Sequence, residues 1–133
     1  MTQRLSLGAK ASLRKTFTIE EVQQFSKLSL DANPLHLDED YARETPFGRR
    51  IVHGMLAASL FSGLLGQELP GPGTIYLGQE LRFTGPVFLD EEVTATVEIT
   101  AIREDKPIVT LRTWCRNQTG DILIDGTATV LTS

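Results

Sequence analysis

Cysteine is nearly absent from the sequence, and this absence excludes several kinds of site. The single cysteine, Cys115, permits no internal disulfide and no cysteine-based zinc site, which is typical of a reducing compartment. The other candidate metal ligands are the two histidines and Asp31, and their spacing matches no recognised zinc pattern. We therefore expect a cytoplasmic protein without a bound metal.

Basic clusters and long apolar runs are also missing. The 13 Lys and Arg residues are scattered, and 17 acidic residues give a net charge of −4, which argues against a nucleic-acid partner. The longest apolar stretch, from about Met55 to Leu65, is interrupted by serine and glycine and is too short to span a bilayer. No apolar leader follows the first five residues. We expect no export, no membrane insertion, and one domain over residues 1–133.

The first half of the chain has a helical character. Residues 11–17 alternate as a strand would, and Thr18 with Glu21 forms a capping box that opens a short helix ending near Ser29. Residues 30–50 have the composition of a long loop, with at most one helical turn after Asp38. Residues 55–66 are apolar or small on every face, which predicts a helix buried all round.

The second half has the period-two hydrophobicity of strands. Four segments each place apolar residues on one face: Ile75, Leu77, Leu81 and Phe83; Val93, Ala95, Val97 and Ile99; Val109, Leu111 and Cys115; and Ile122, Ile124, Ala128 and Val130. We interpret them as four meandering strands. Together with the first strand they predict an α+β fold, an antiparallel sheet wrapped around a long central helix.

The segment from Ser29 to His36 concentrates groups that can carry chemistry. Asp31 and His36 supply a carboxylate and an imidazole on one loop, as water addition requires, and we expect the apolar elements on either side to desolvate Asp31. The structural alternative is a turn, because Asn33-Pro34 is a common turn dipeptide and Asp31 can cap local backbone. Spacing alone does not decide between them.

The segment from Ile51 to Met55 begins the predicted central helix. A helix N-terminus presents free N–H groups and the positive end of the dipole, and Gly54 would let a ligand approach the backbone. Such a terminus suits a developing oxyanion. The alternative is an ordinary helix start, with His53 as an interior histidine whose hydrogen bonds are satisfied.

Taken together, these two segments resemble the MaoC-like hydratases of the hydratase 2 group. The resemblance is greatest to the short, single-domain (R)-specific enoyl-CoA hydratases that supply monomers for polyhydroxyalkanoate synthesis. It extends over essentially the whole chain. One departure is Leu30, where the wider family usually has glycine. The residues that carry the resemblance are Asp31-x-Asn33-Pro34-Leu35-His36, Ala42, Ile51-Val52-His53-Gly54-Met55, and the segments 58–66, 75–79 and 103–107.

The resemblance implies a hot dog fold, a homodimer with acyl-CoA at the subunit interface, and no metal or redox cofactor. It makes Asp31 and His36 the catalytic pair that adds water to trans-2-enoyl-CoA and yields the (3R)-3-hydroxyacyl-CoA. The N–H of Gly54 would bind the thioester oxygen, and Asn33 would orient the loop. Such an enzyme links fatty-acid β-oxidation to polyhydroxyalkanoate synthesis.

Helical geometry extends this assignment to the acyl tail. Ser62 and Leu65 return to roughly the same helix face as Gly54, and the last strand near Val130 could form the opposite wall. We expect these three side chains to line an acyl pocket. The alternative for Leu65 and Val130 is an ordinary core position.

The remaining candidates have weaker signals. Ser59 and Ser62 lie outside any nucleophile-elbow sequence, so packing or pocket lining is favoured over a serine nucleophile. Trp114 is an interface or a surface residue, and Cys115 is a core residue.

Two other functions compete with hydration. Hot dog proteins also include acyl-CoA thioesterases, which generally lack the Asp-x-Asn-Pro-x-His loop, and a non-catalytic acyl-CoA binding module would not need both Asp31 and His36.

Overall fold

The computed structural model describes residues 5–133. Residues 1–4 belong to the segment in which we found no apolar leader, and they lie outside this range. No helix among the described residues has both the length and the apolar character needed to cross a bilayer. The elements, in chain order, are β1 (Lys10–Lys15), α1 (Ile19–Ser29), α2 (Pro34–Leu37), α3 (Glu39–Arg43), α4 (Gly54–Gln67), β2 (Ile75–Phe83), β3 (Val93–Ile102), β4 (Ile108–Arg116) and β5 (Ile122–Leu131).

The five strands form one antiparallel sheet in the order β1-β3-β4-β5-β2. The prediction of four meandering strands is therefore wrong in one respect: β2 does not pair with β3 but crosses to the far edge and pairs with β5. Alternating hydrophobicity identifies the face of a strand, and it carries no information about which strand lies beside it.

The core lies between α4 and the inner face of the sheet. The predicted inward positions of β3 and β4 are buried, and on β5 Ile124, Ala128 and Val130 are buried as well. On α4, Ala57, Phe61 and Leu64 are each 0% exposed. This arrangement of a sheet around a central helix confirms the expected hot dog fold.

Helix α4 is not buried all round, contrary to expectation. Met55 is 59% exposed, and Ser59, Ser62 and Gly63 are exposed on the same side. The sheet covers only one side of the helix, so small and polar residues occupy the other side. The high average hydrophobicity of the whole helix concealed this difference between its two sides.

The connection from residue 30 to residue 50 is more regular than predicted, because it contains two short helices. Asn33 caps α2 by accepting a hydrogen bond from the N–H of Leu35 at 3.0 Å, and Asp38 caps α3 by accepting one from the N–H of Tyr41 at 3.1 Å. Such caps are sequence signals of a helix start, and the loop-like composition of residues 30–50 concealed both of them. Upstream, the capping box of Thr18 and Glu21 is confirmed.

Strand β2 is an edge of the sheet and carries exposed apolar side chains, but a bulge between Tyr76 and Gly78 puts Ile75 and Phe83 on different faces, so the predicted single apolar face is wrong. Its side chains Ile75, Leu77 and Phe83 are 56%, 51% and 50% exposed. On its other side it lies so close to β5 that a Cβ at Gly126 would overlap the carbonyl oxygen of Glu80.

Trp114 and Cys115 lie on opposite faces of β4. Trp114 lies on the outer face of the sheet but is only 8% exposed, because the guanidinium of Arg112 covers its ring at 4.4 Å. Cys115 is 0% exposed in the core, as predicted.

Burial makes Cys115 an unreactive thiol. It raises the pKa of Cys115 to about 11, so the thiolate that reacts with disulfide reagents is scarce at neutral pH. We expect no reaction of the native protein with a chromogenic thiol reagent, and one thiol per chain after unfolding in guanidinium. Stoichiometric labelling of the native protein would contradict the placement of Cys115 in the core.

Candidate active site

Asp31 follows α1 on a tight, exposed loop. Leu30 ends the helix with a φ of 67°, the left-handed conformation that favours glycine. The Asp31 carboxylate accepts a hydrogen bond from the N–H of Asn33 at 3.2 Å. The expectation that neighbouring elements desolvate Asp31 is wrong for the single chain, since the apolar sides of α1 and α4 face the core and leave this side chain exposed.

His36 is held in one orientation by the backbone. It lies on α2, is 8% exposed, and its Nδ1 is 2.8 Å from the carbonyl oxygen of Ile51. Because a carbonyl oxygen only accepts, Nδ1 carries a hydrogen and donates it. In the neutral ring Nε2 is then the unprotonated nitrogen, which leaves it free to accept a proton.

Gly54 begins α4 at the wall of a cavity of about 590 Å³. No side chain among the described residues caps this helix end, so its first N–H groups keep their capacity to bind a ligand. A Cβ at position 54 would lie 2.7 Å from the ring of Phe83, so a larger residue there would displace this ring. Asp31 lines the same cavity, so a carboxylate and a helix N-terminus face one space.

The two catalytic candidates converge with His53. One carboxylate oxygen of Asp31 and one ring nitrogen from each of His36 and His53 lie within 4.8 Å of one another. Two atoms up to 4.8 Å apart can both reach one water molecule at ordinary hydrogen-bond lengths. The arrangement can therefore hold a water between Asp31 and His36.

His53 is a buried residue that contacts both Asp31 and His36. Its ring is 2% exposed and stacks on His36 with a centroid distance of 3.9 Å. Its Nε2 is 3.1 Å from the carbonyl oxygen of Asp31 and 3.1 Å from the hydroxyl of Ser26. From its sequence context His53 could be either an interior histidine or part of a site, and no local pattern marks Ser26.

The predicted acyl-pocket residues do not all lie in one cavity. Ser62 lines a second cavity, of about 420 Å³, between α4 and β2. Leu65 and Val130 are buried in the core, 1% and 0% exposed, and belong to the lining of neither cavity. Met55 lines both cavities and so connects the catalytic groups with Ser62. The roles of Leu65 and Val130 remain predictions.

Known proteins resemble this chain in sequence and in fold. Residues 4–115 match the model of the MaoC like domain family. The chain belongs to this family. The MaoC-like domain is similar to the (R)-specific enoyl-CoA hydratase of Aeromonas caviae, with 59% identity over 96% of this chain and 96% of that protein. It is also similar to the (R)-specific enoyl-CoA hydratase of Rhodospirillum rubrum, with 48% identity over 93% of this chain and 85% of that protein.

A solved structure shows the same likeness. The (R)-hydratase from A. caviae involved in polyhydroxyalkanoate biosynthesis matches with a TM-score of 0.96 and 58% identity, covering 98% of this chain and 99% of that one. The predicted family and fold are therefore confirmed over the chain as a whole.

The environment of His53 predicts how the stability of this MaoC-like domain depends on pH. Burial, reinforced by the nearby His36, lowers the pKa of His53 below its ordinary value of 6.5. As the pH falls below 6.5, the unfolded chain binds a proton at this ring before the folded protein does. The contribution is fully present above pH 6.5 and declines as the pH falls toward the folded-state pKa. We expect the urea midpoint to be lower at about pH 5.5 than at about pH 7.5.

A His53→Gln variant provides the control, because it lacks the titrating ring. Its urea midpoint should change less over the same pH interval than that of the unsubstituted protein. An equal change in both proteins would show that His53 is not responsible.

Proposed function

We infer that this MaoC-like domain is an (R)-specific enoyl-CoA hydratase, which adds water across the 2,3 double bond of a trans-2-enoyl thioester to give the (3R)-3-hydroxyacyl thioester. The observation that carries this inference is the convergence of Asp31 and His36 beside the uncapped start of α4 at Gly54. The names of the A. caviae and R. rubrum relatives support hydration over thioester hydrolysis or binding alone.

In the proposed first step, a water held by the Asp31 carboxylate and His36 attacks C3. Asp31 accepts a proton from this water as the new C–O bond forms. The electron pair of the double bond moves to C2 and the thioester carbonyl, so negative charge collects on the thioester oxygen. The N–H of Gly54 donates to that oxygen, and its fixed position at a helix N-terminus stabilises the charge most in the transition state.

In the second step the proton that Asp31 took from the water passes through the solvent to the free Nε2 of His36, while Nδ1 keeps its hydrogen bond to the carbonyl of Ile51. Nε2 then delivers this proton to C2, so that Asp31 and His36 regain their starting protonation and the reaction balances. Water and proton arrive from the same side because the two groups converge within 4.8 Å of each other, so the addition is syn. Asn33 keeps Asp31 in place through the loop hydrogen bond described above.

The decisive experiment follows the loss of enoyl absorbance with crotonyl-CoA, followed by chiral analysis of the product. We expect hydration with a dominant (3R) product, at a rate that dialysis against EDTA does not change, since the proposed mechanism uses no metal or redox cofactor. A dominant (3S) product would refute the stereochemical assignment. Thiol release from saturated acyl-CoA, with no absorbance loss from crotonyl-CoA, would identify a thioesterase instead.

The catalytic pair is tested by substitution. Asp31→Asn and His36→Ala should each lower kcat roughly 10²- to 10⁴-fold, because each removes a positioned proton acceptor or donor. Both groups act on one water, so the double variant should lose much less than the product of the two factors. Asp40→Asn is the matched control, since this exposed carboxylate on α3 pairs with Arg43 on the same helix. Near-native kcat in either single variant would show that the assignment is wrong.

A homodimer would complete this site. The cavity that holds Asp31 and Gly54 is also lined by Met55 and Phe83, two half-exposed side chains beside the β2 edge. A second copy pairing along β2 would cover these side chains and exclude water from Asp31. We propose that the acyl-CoA lies along this interface. Sedimentation should then give about twice the 14.7 kDa mass of one chain.

We place the enzyme in the cytoplasm, where acyl-CoA is available and a lone, buried thiol such as Cys115 remains reduced. Its product fits polyhydroxyalkanoate synthesis, the process named for the A. caviae structure, with enoyl-CoA supplied by fatty-acid β-oxidation.

The chain-length hypothesis is tested at Leu65. Leu65→Ala should raise kcat/KM for octenoyl-CoA relative to crotonyl-CoA about tenfold, because each accommodated CH₂ contributes roughly 0.8 kcal/mol. The truncation also costs roughly 2–5 kcal/mol of stability, so both rates are measured well below the melting temperature.

Leu64→Ala is the matched control, because Leu64 has equal size and burial on the adjacent helical position. It should leave the substrate ratio unchanged. An unchanged ratio in a folded Leu65→Ala variant would show that Leu65 does not limit the acyl tail.

A further inference from the structure

The side chain of His53 contacts both members of the proposed catalytic pair. Besides stacking on His36, its ring meets the edge of Phe25 of α1 at a centroid distance of 4.8 Å. The residue itself is the N-cap of α4 and immediately precedes Gly54. A single buried imidazole thus lies between α1, α2 and α4.

The hydrogen bonds of His53 determine its protonation. The carbonyl oxygen of Asp31 can only accept, so Nε2 carries the hydrogen and donates it, with the Ser26 hydroxyl at the same distance. The other nitrogen, Nδ1, is buried and has no hydrogen-bond partner among the described residues. A proton on Nδ1 would be a buried donor without an acceptor, so the ring remains neutral.

The bond from His53 to Asp31 is important because the other hydrogen bonds of Asp31 are local. The N–H of Asp31 donates to Ser29, and its carboxylate accepts from the N–H of Asn33, each two residues away. The bond from His53 Nε2 spans 22 residues and ties the Asp31 backbone to the start of α4. It therefore sets the position of the carboxylate relative to Gly54.

We propose that His53, together with Ser26, is a positioning residue for hydration: its Nε2–H anchors the backbone of Asp31, and its ring face holds the plane of His36. The inference rests on the proposed function and adds a role for two residues outside the catalytic pair. The neutral ring does not exchange protons with substrate, and it acts only through Asp31 and His36.

Two substitutions separate the donor from the aromatic ring. His53→Phe keeps a ring against His36 but removes the N–H donor, whereas the amide of His53→Gln can place a donor near the former Nε2. We expect His53→Phe to lower kcat with crotonyl-CoA roughly 10- to 100-fold, since small misplacements of reacting groups have effects of this size. His53→Gln should recover most of this loss. Ser26→Ala should show a smaller loss of the same kind.

A double-mutant cycle distinguishes positioning from general destabilisation. If His53 acts through Asp31, His53→Phe should cost less than about threefold in kcat when Asp31→Asn is already present. A structural role would cost the same factor in both backgrounds. Leu64→Val serves as a core control that touches neither catalytic group and should keep native kcat.

Hydrogen–deuterium exchange tests the inference even if the wild-type protein proves inactive as a hydratase. His53→Phe should increase deuterium uptake in residues 29–37, and His53→Gln should not. Unchanged exchange, or equal kcat in the Phe and Gln variants, would overturn the positioning role. Absence of hydration by the unsubstituted protein would instead refute the proposed function, and the exchange result would stand separately.

Discussion

The packing of α4 against the inner face of the sheet is the constraint on which the site depends. Ala57, Phe61 and Leu64 are completely buried there, and truncating one large core side chain of this kind costs roughly 2–5 kcal/mol. The helix therefore cannot slide or rotate without losing its core contacts. Because His53 and Gly54 lie at the start of α4, the packing of this helix determines their positions. The loop with Asp31 and the ring of His36 are then attached to that turn.

The first turn of α4 is poorly optimised for stability, and this is consistent with a binding role. Side chains such as serine or aspartate at an N-cap typically add about 1 kcal/mol, but His53 makes no capping hydrogen bond. Its Nδ1 is also a buried nitrogen without a hydrogen-bond partner among residues 5–133, a rare state in folded proteins. Departures of this kind concentrate at functional sites. Here the missing cap leaves the N–H groups at the start of the helix available to an oxyanion.

The apolar edge at β2 links the fold to the site in a second way. An edge strand with several half-exposed large side chains is unfavourable for a monomer in water. The same edge supplies Phe83 to the cavity that contains Asp31 and Gly54. A surface that associates there would therefore alter the solvation of the catalytic groups. Folding of one chain positions these groups but leaves Asp31 exposed.

The sequence by itself determined most of the elements and the identity of the candidate catalytic residues. Local signals can be recognised from neighbouring residues in the sequence. They include the capping box of Thr18 and Glu21, the alternation in β3 to β5, and the joint motifs around Asp31 and Gly54. Tertiary structure alone decided that β2 pairs with β5, that one side of α4 is open, and that His53 lies on His36 with Ser26 beside it. These contacts join residues far apart in the chain, and their energies depend on packing geometry that neither propensity nor periodicity encodes.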